Sequence, residues 1–154
     1  MYCLTYMSTT KIDFTFDDLE ALLQVSQANN AAMDITGYLY FDRNTFIQYL
    51  EGQESHVKKL MDSITQDPRH EVLLTFDSSI DERRFPSWTM AYLSQSDFSA
   101  VRLEDLWKRF FYLSKKETNS QDIHQLWRVI DKISQLQKRI ESKFRKAKES
   151  NKAD

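Results

Sequence analysis

The chain has 154 residues, of which 41% are hydrophobic and 13% aromatic, and its formal net charge is −2. This length suits one domain, or one domain with a helical appendage, and the aromatic content excludes a disordered chain. A single cysteine excludes a disulfide framework and a cysteine metal site, and no apolar run is long enough to span a membrane. Since the N-terminus also lacks a charged segment before its apolar residues, we expect a cytoplasmic protein.

The first predicted elements are a strand and a helix. Residues 2–7 alternate as a strand that points Tyr6 and Cys3 to opposite faces, and residues 8–14 read as a loop. Thr15 followed by Asp18 resembles a capping box, which starts a helix that runs to about Asn29.

This helix has an inward stripe whose last two members are polar. The stripe consists of Leu19, Leu22, Leu23, Ser26 and Asn30. Two interpretations of the asparagines remain open. Asn29 and Asn30 end the helix, because asparagine tolerates the left-handed conformation found there, or Asn30 points inward with Ser26.

A β-hairpin is predicted within residues 29–52, which contain both glycines of the chain. Two apolar runs are separated there by D-R-N, a typical hairpin signal. The second run is apolar on both faces, which indicates a central strand and a buried Gln48, whose amide needs hydrogen-bond partners. Either that amide bonds to nearby backbone or lies near an edge, or it faces a polar ligand.

A second helix is predicted from Ser55, as its N-cap, to just before D-P at residues 67–68. Strands follow over residues 72–77 and 88–93. The order βαββαββ indicates an α+β, ferredoxin-like sheet with one added strand and both helices on one face. We expect the first and third strands to be central, parallel neighbours, which places Tyr6 beside Gln48.

Residues 98–154 are expected to form a helical extension of a domain that covers residues 1–97. Residues 103–113 predict an apolar helix that caps the other face of the sheet, and residues 120–148 predict a long basic amphipathic helix. Its stripe is Ile123, Leu126, Trp127, Ile130, Ile133, Ile140 and Phe144, with Gln137 as the exception. This helix either packs back on the sheet or pairs with a second copy of the chain.

The charge is divided between the two parts. Residues 1–100 carry 7 Lys and Arg against 15 Asp and Glu, whereas residues 101–154 carry 14 against 8. This division indicates either that the basic tail, residues 101–154, docks on the acidic residues 1–100 or that it binds an acidic partner. The interleaved charges of the tail, and the absence of a nucleic-acid motif, argue against direct nucleic-acid binding.

Four motifs appear in order along the chain: S-x-x-x-N followed by I-T-G, then F-I-Q-Y-L-E-G, D-P-R-H, and R-R-F-P-x-W-x-M. Together they resemble the BLUF domain, a blue-light sensor that uses FAD, from the first strand to about Tyr92. The resemblance implies a photoreceptor that is not an enzyme. It also implies a signal that passes through the last strand and the C-terminal helices to a partner protein or to a homo-oligomer.

The resemblance further implies individual roles. Tyr6 corresponds to the tyrosine that gives up an electron, and Gln48 to the glutamine that reports the change. The residues that correspond to cofactor contacts are Tyr6, Ser26, Asn30, Gln48, Asp67, Arg69 and His70. Trp88 and Met90 match a pair that moves with the light state in the family. Ser63 stands where some members have a basic residue near the cofactor.

Other functional classes conflict with the residues present. A glycine-rich phosphate loop is excluded because Gly37 and Gly52 are the only glycines, and the same lack argues against an acylphosphatase. The three histidines share no metal-ligand spacing, and we expect His56 and His124 to be surface residues. A flavin sensor with a cysteinyl adduct conflicts with Cys3, which faces away from Tyr6. The remaining alternative is a light-independent, cofactor-free adaptor that binds a regulator.

Overall fold

The computed structural model describes residues 1–94, residue 96 and residues 120–150, apart from the side chains at positions 122, 123, 144 and 147. The predicted helix over residues 103–113 lies outside the described residues. The fold divides into two compact units, Met1–Phe98 and Ser99–Asp154.

The described part of the first unit follows the predicted βαββαββ order. Its elements are β1 (Tyr2–Thr10), α1 (Phe16–Ala32), β2 (Thr36–Asp42), β3 (Thr45–Gly52), α2 (Glu54–Thr65), β4 (His70–Ser79) and β5 (Ala91–Leu93). Leu19 of α1 and Val57 of α2 lie in one core cluster with Leu4 of β1 and Leu50 of β3. Both helices therefore pack on the same face of the sheet.

The strands are arranged in the order β4-β1-β3-β2-β5. The central pair β1 and β3 is antiparallel, as are β1 with β4 and β2 with β3, whereas β2 and β5 are parallel. The prediction that the first and third strands are parallel is therefore wrong. The α1 crossover makes β1 and β2 run the same way, and the hairpin then reverses the chain before β3.

Helix α1 begins as its sequence predicts. Thr15 is the N-cap and forms a reciprocal capping box with Asp18. The helix continues past Asn29 to Ala32, and Asn30 is only 1% exposed. Asn30 therefore does not end the helix, and it faces inward like the leucine side chains that precede it.

Several predicted boundaries differ from the structure, among them those of β1, α2 and β5. β1 continues through Ser8 to Thr10, since backbone hydrogen bonds extend the pairing there. Gln53, rather than Ser55, is the N-cap of α2, without a side-chain cap bond. β5 has only three residues, and the carbonyls of the preceding residues 88–90 accept hydrogen bonds from three separate partners on α1 and β2. One of these bonds joins Gly37 N–H to the Trp88 carbonyl at 2.7 Å.

Glu51, at the end of β3, anchors the loop that leads towards β5. Its buried carboxylate accepts hydrogen bonds from Thr36 Oγ1 at 3.1 Å and Tyr49 Oη at 3.0 Å. It also accepts from the backbone N–H groups of Arg84 at 2.9 Å and Phe85 at 2.7 Å. The F-I-Q-Y-L-E-G and R-R-F-P motifs, which are separate in sequence, therefore meet at this carboxylate.

The second unit contains the helix α3 (Ser120–Ser150), which covers the predicted long helix. Leu126, Ile130, Ile133 and Gln137 are buried at steps of three or four residues, so the predicted polar exception lies on the buried stripe. No helix in the described part of the chain combines the length and the apolar character needed to cross a bilayer.

The two histidines predicted to lie at the surface differ in exposure. His124 is exposed, whereas His56 is half-buried and its Nδ1 lies 2.8 Å from the Met33 carbonyl.

Candidate functional site

A cavity of about 200 Å³ is lined by residues of α1, α2 and the sheet. Its walls combine apolar side chains, such as Leu39, Leu60 and Ile64, with a smaller set of polar ones. All of the predicted cofactor contacts lie on this lining, namely Tyr6, Ser26, Asn30, Gln48, Asp67, Arg69 and His70. The structure therefore brings together residues that are spread over more than sixty positions of the chain.

Tyr6 and Gln48 are directly opposite each other on β1 and β3. Tyr6 Oη donates a hydrogen bond to Gln48 Oε1 at 2.7 Å, and Gln48 Nε2 donates to the Met90 sulfur at 3.3 Å. Both residues are buried. The Gln48 amide therefore bonds to side chains in a cavity wall rather than to nearby backbone, and that it faces a polar ligand stays a prediction.

The phenol of Tyr6 is held in its neutral form. Burial is the main cause of its raised pKa, and the negative charge of Asp67 adds to it. A neutral phenol keeps its proton and donates a hydrogen bond through it to the amide oxygen of Gln48. Thr5 Oγ1 donates to the backbone carbonyl of Gln48 at 2.9 Å and so fixes the strand position of that residue.

Two side-chain amides of α1 hold the segment before β5. Asn30 Nδ2 donates to the Thr89 carbonyl at 3.0 Å, and Gln27 Nε2 donates to the Met90 carbonyl at 3.0 Å. Gln27 is not among the site residues predicted from the sequence. The available signal was its position three residues before Asn30, which places both amides on one side of the helix.

Asp67 and Arg69 form an ion pair on the cavity lining. Arg69 Nη2 lies 2.6 Å from Asp67 Oδ2, and Arg69 Nε also donates to this carboxylate. These hydrogen bonds from Arg69 hold the pKa of Asp67 below its usual range. The guanidinium carbon lies 5.5 Å from the centre of the Phe14 ring, which restricts its position further.

His70 presents a polar atom that has no protein partner among the described residues. Its Nε2 lies 2.7 Å from the Ile64 carbonyl, and because a carbonyl only accepts, Nε2 is the donor. Its Nδ1 is buried without a hydrogen-bond partner within the described part of the chain. Such a buried polar atom requires a partner, and a ligand in the cavity that His70 lines is one source of it.

Trp88, Met90 and Ser63 differ in their relation to the cavity. Ser63 lines it, so a hydroxyl occupies the position where the resemblance implies a basic residue in some members. Met90 is buried and is not part of the lining, but its sulfur accepts a hydrogen bond from Gln48, which is. Trp88 is not part of the lining and stacks on Phe85, with ring centroids 5.6 Å apart.

The lining suits a flat heteroaromatic ring with a polar edge. Apolar side chains from both helices and the sheet provide contact surface, and the amides of Asn30 and Gln48 offer donors and acceptors. The unpartnered Nδ1 of His70 adds a further polar atom. The residues present therefore fit a flavin.

Comparisons with known proteins agree with this fit. The family model of BLUF, described as sensors of blue-light using FAD, matches residues 1–91. The chain is 30% identical to BlrB, a BLUF protein whose dark-state structure is known. That match has a TM-score of 0.67 and covers 84% of this chain and 94% of BlrB.

Two curated relatives match the same region. Photoactivated adenylate cyclase subunit beta of Euglena longa is 36% identical over 89 residues, which are 56% of this chain and 10% of that protein. The blue light- and temperature-regulated antirepressor BluF of Escherichia coli (strain K12) is 37% identical over 67 residues, 44% of this chain and 17% of that protein.

The chain therefore spans less than a fifth of the length of either curated relative. The family model, in contrast, matches more than half of the chain, and it includes every predicted contact of the cavity. These matches show that the chain belongs to the BLUF family of blue-light sensors that use FAD.

Proposed function

We propose that this chain is a blue-light photoreceptor that binds FAD in the cavity between α1 and α2 and signals to a partner protein without catalysing a reaction itself. The observation that supports this most directly is the 2.7 Å hydrogen bond between Tyr6 and Gln48. It links a buried neutral phenol to a carboxamide on the wall of a cavity that suits a flavin.

The residues that hold the cofactor in this proposal are Ser26, Asn30, Asp67, Arg69 and His70, together with Tyr6 and Gln48. Bound FAD would supply absorption of blue light and, when excited, an acceptor for one electron. Tyr6 is the electron donor. Its phenolic proton leaves with the electron, because the Oε1 atom of Gln48 lies 2.7 Å away and can accept it.

Gln48 converts this event into a change of hydrogen bonds. Its amide has an acceptor at one end, bonded to Tyr6, and a donor at the other, bonded to Met90. When the amide group turns over, or when its proton moves, the donor and the acceptor exchange positions. The contact with the Met90 sulfur is then altered together with the contact to Tyr6.

The change in the Met90 contact is transmitted to β5. Met90 immediately precedes this strand, which has three residues and pairs with β2 in the described sheet. A short edge strand with few hydrogen bonds is stabilised weakly and can shift between two arrangements. We propose that this shift reaches residues 98–154, which act as the helical extension of the sensor domain and carry the signal to a regulatory protein or to a second copy.

The experiment is spectroscopic. The purified chain, loaded with FAD, should be yellow, and blue light should move its flavin absorption bands to longer wavelength, reversibly in the dark. Extraction of the bound flavin then distinguishes FAD from FMN. A colourless protein that fails to take up either flavin would contradict the proposal and favour the cofactor-free adaptor.

A further inference from the structure

The segment that precedes β5 is tied to α1 by two side-chain amides. Asn30 bonds to the Thr89 carbonyl, and Gln27 bonds to the next carbonyl, that of Met90. The two carbonyls are consecutive, and the two amides are three residues apart on the helix. The side chain of Met90 meanwhile contacts Gln48.

We propose that Gln27 is a positioning residue. Its hydrogen bond to the Met90 carbonyl holds the Met90 sulfur against the Gln48 amide and determines how readily the segment before β5 follows a change at Gln48. This inference rests on the proposed function, because it names one bond in the route by which the photoreceptor signals.

Gln27 differs from Asn30 in its relation to the cavity. Asn30 is 1% exposed and lines the cavity, so its substitution would alter the site itself. Gln27 is exposed and absent from the lining. Among the described residues, its side chain hydrogen-bonds to the Met90 carbonyl. Removing this donor therefore changes the attachment of the segment without changing the surfaces that contact a flavin.

The chain offers a matched set of variants. Gln27→Glu keeps the size of the side chain but replaces the donor with oxygens that only accept, so it cannot bond to a carbonyl. Gln27→Arg restores N–H donors. Gln24→Glu is the control for charge, because Gln24 is an exposed glutamine one turn earlier on α1.

The first measurement is hydrogen exchange of the full chain in the dark. In Gln27→Glu, the backbone amides of β5 should exchange about fivefold faster or more, the factor expected when one hydrogen bond that holds the segment is lost. Gln24→Glu should exchange like the original protein. Gln27→Arg should return towards the original rate.

The second measurement is the recovery of the FAD-loaded protein after blue light. Gln27→Glu should keep the red shift, since Tyr6 and Gln48 are unchanged, but recover about two- to fivefold more slowly. The arrangement in which Met90 contacts Gln48 has lost part of its stabilisation, so the return to it is less favoured. The light-minus-dark difference in exchange at β5 should also shrink. If Gln27 had only a structural role elsewhere in the fold, Gln27→Arg would not restore the original rates of exchange and recovery.

The outcomes separate this inference from the proposed function. If Gln27→Glu and Gln24→Glu have the same exchange rates at β5, the positioning role of Gln27 is wrong, whether or not the protein responds to light. If exchange changes as expected but neither the original protein nor Gln27→Glu shows a red shift, Gln27 does attach the segment to α1. The photoreceptor function and the signalling route that depends on it are then wrong.

Discussion

At the scale of single residues, the site depends on two side chains whose polar atoms are buried together. Tyr6 and Gln48 lie at the same register position of antiparallel strands, so their side chains point to the same face and meet. Each satisfies a polar group that would otherwise be buried without a partner. The pair is therefore both a structural contact and the reactive centre of the proposal.

Tyr6→Phe should leave flavin bound and abolish the red shift, because the variant has no phenolic proton or Gln48 bond. Absorption spectra before and after illumination test this. Tyr38→Phe is a matched control, since the Tyr38 hydroxyl is buried without a hydrogen-bond partner among the described residues. The control should keep the shift. A normal shift in Tyr6→Phe would remove Tyr6 from the proposed role.

Gln48→Leu should also bind flavin without the red shift, and its dark spectrum should differ from that of the original protein. The variant leaves the buried Tyr6 hydroxyl without its acceptor, which should cost about 1–3 kcal/mol of unfolding free energy. Gln48→Glu keeps an acceptor for Tyr6 but removes the donor to Met90 in its ionised form. Comparing light-induced exchange at β5 between Gln48→Glu and the original protein tests whether the Met90 contact matters separately from the bond to Tyr6.

At the scale of elements, Gly37 allows β2 and β3 to approach closely. Its φ of 155° is unfavourable for other residues, and a Cβ atom there would lie 1.8 Å from the Tyr49 carbonyl oxygen. Gly37→Ala should therefore lower the unfolding free energy by about 2–4 kcal/mol. In Gly52→Ala, the Cβ would meet the Asp34 carbonyl oxygen at 3.0 Å without an unusual φ, so the loss should be smaller. Denaturant unfolding of both variants tests this order.

Glu51 connects the end of β3 to the loop before β5. Glu51→Gln replaces one accepting oxygen with a donor that faces either Thr36 and Phe85 or Tyr49 and Arg84, all of which donate to the carboxylate. We expect a loss of about 2–3 kcal/mol, the range for hydrogen bonds to a charged group. Thermal unfolding measures it. Unchanged stability would mean that the loop does not depend on this carboxylate.

Sequence patterns predicted the elements and most of the cavity because these depend on local periodicity and on short motifs. The capping box at Thr15 is an example, and the inward-facing Asn30 is one of the two interpretations that the helical stripe left open. The direction of β3 relative to β1 was predicted wrongly, although the predicted α1 crossover and the hairpin together determine it. The partners of Gln27 and Glu51 had no comparable signal. Both side chains bond to backbone groups more than thirty residues away, and backbone carbonyls and amides are the same at every position.

At the scale of the whole molecule, the burial of tyrosines should make the unfolding free energy fall at alkaline pH. Burial raises the pKa of Tyr6, Tyr38 and Tyr49, with an added contribution from Asp67 at Tyr6 and from Glu51 at Tyr49. Below a pH of about 10, these phenols are neutral in both the folded and the unfolded chain. Above it, the unfolded chain loses protons that the folded chain retains, so stability falls as pH rises.

Each such tyrosine should lower the unfolding free energy by about 1.4 kcal/mol per pH unit above about pH 10, until its own pKa in the fold is reached. Tyr38→Phe removes one of these groups without removing a described hydrogen bond. Its stability relative to the original protein should therefore rise by about that amount for each pH unit above about 10 and stay constant at lower pH. Denaturant unfolding across this range, with tyrosinate absorbance as a second probe, tests the slope. A constant difference at all pH values would mean that Tyr38 ionises in the fold as easily as in the unfolded chain.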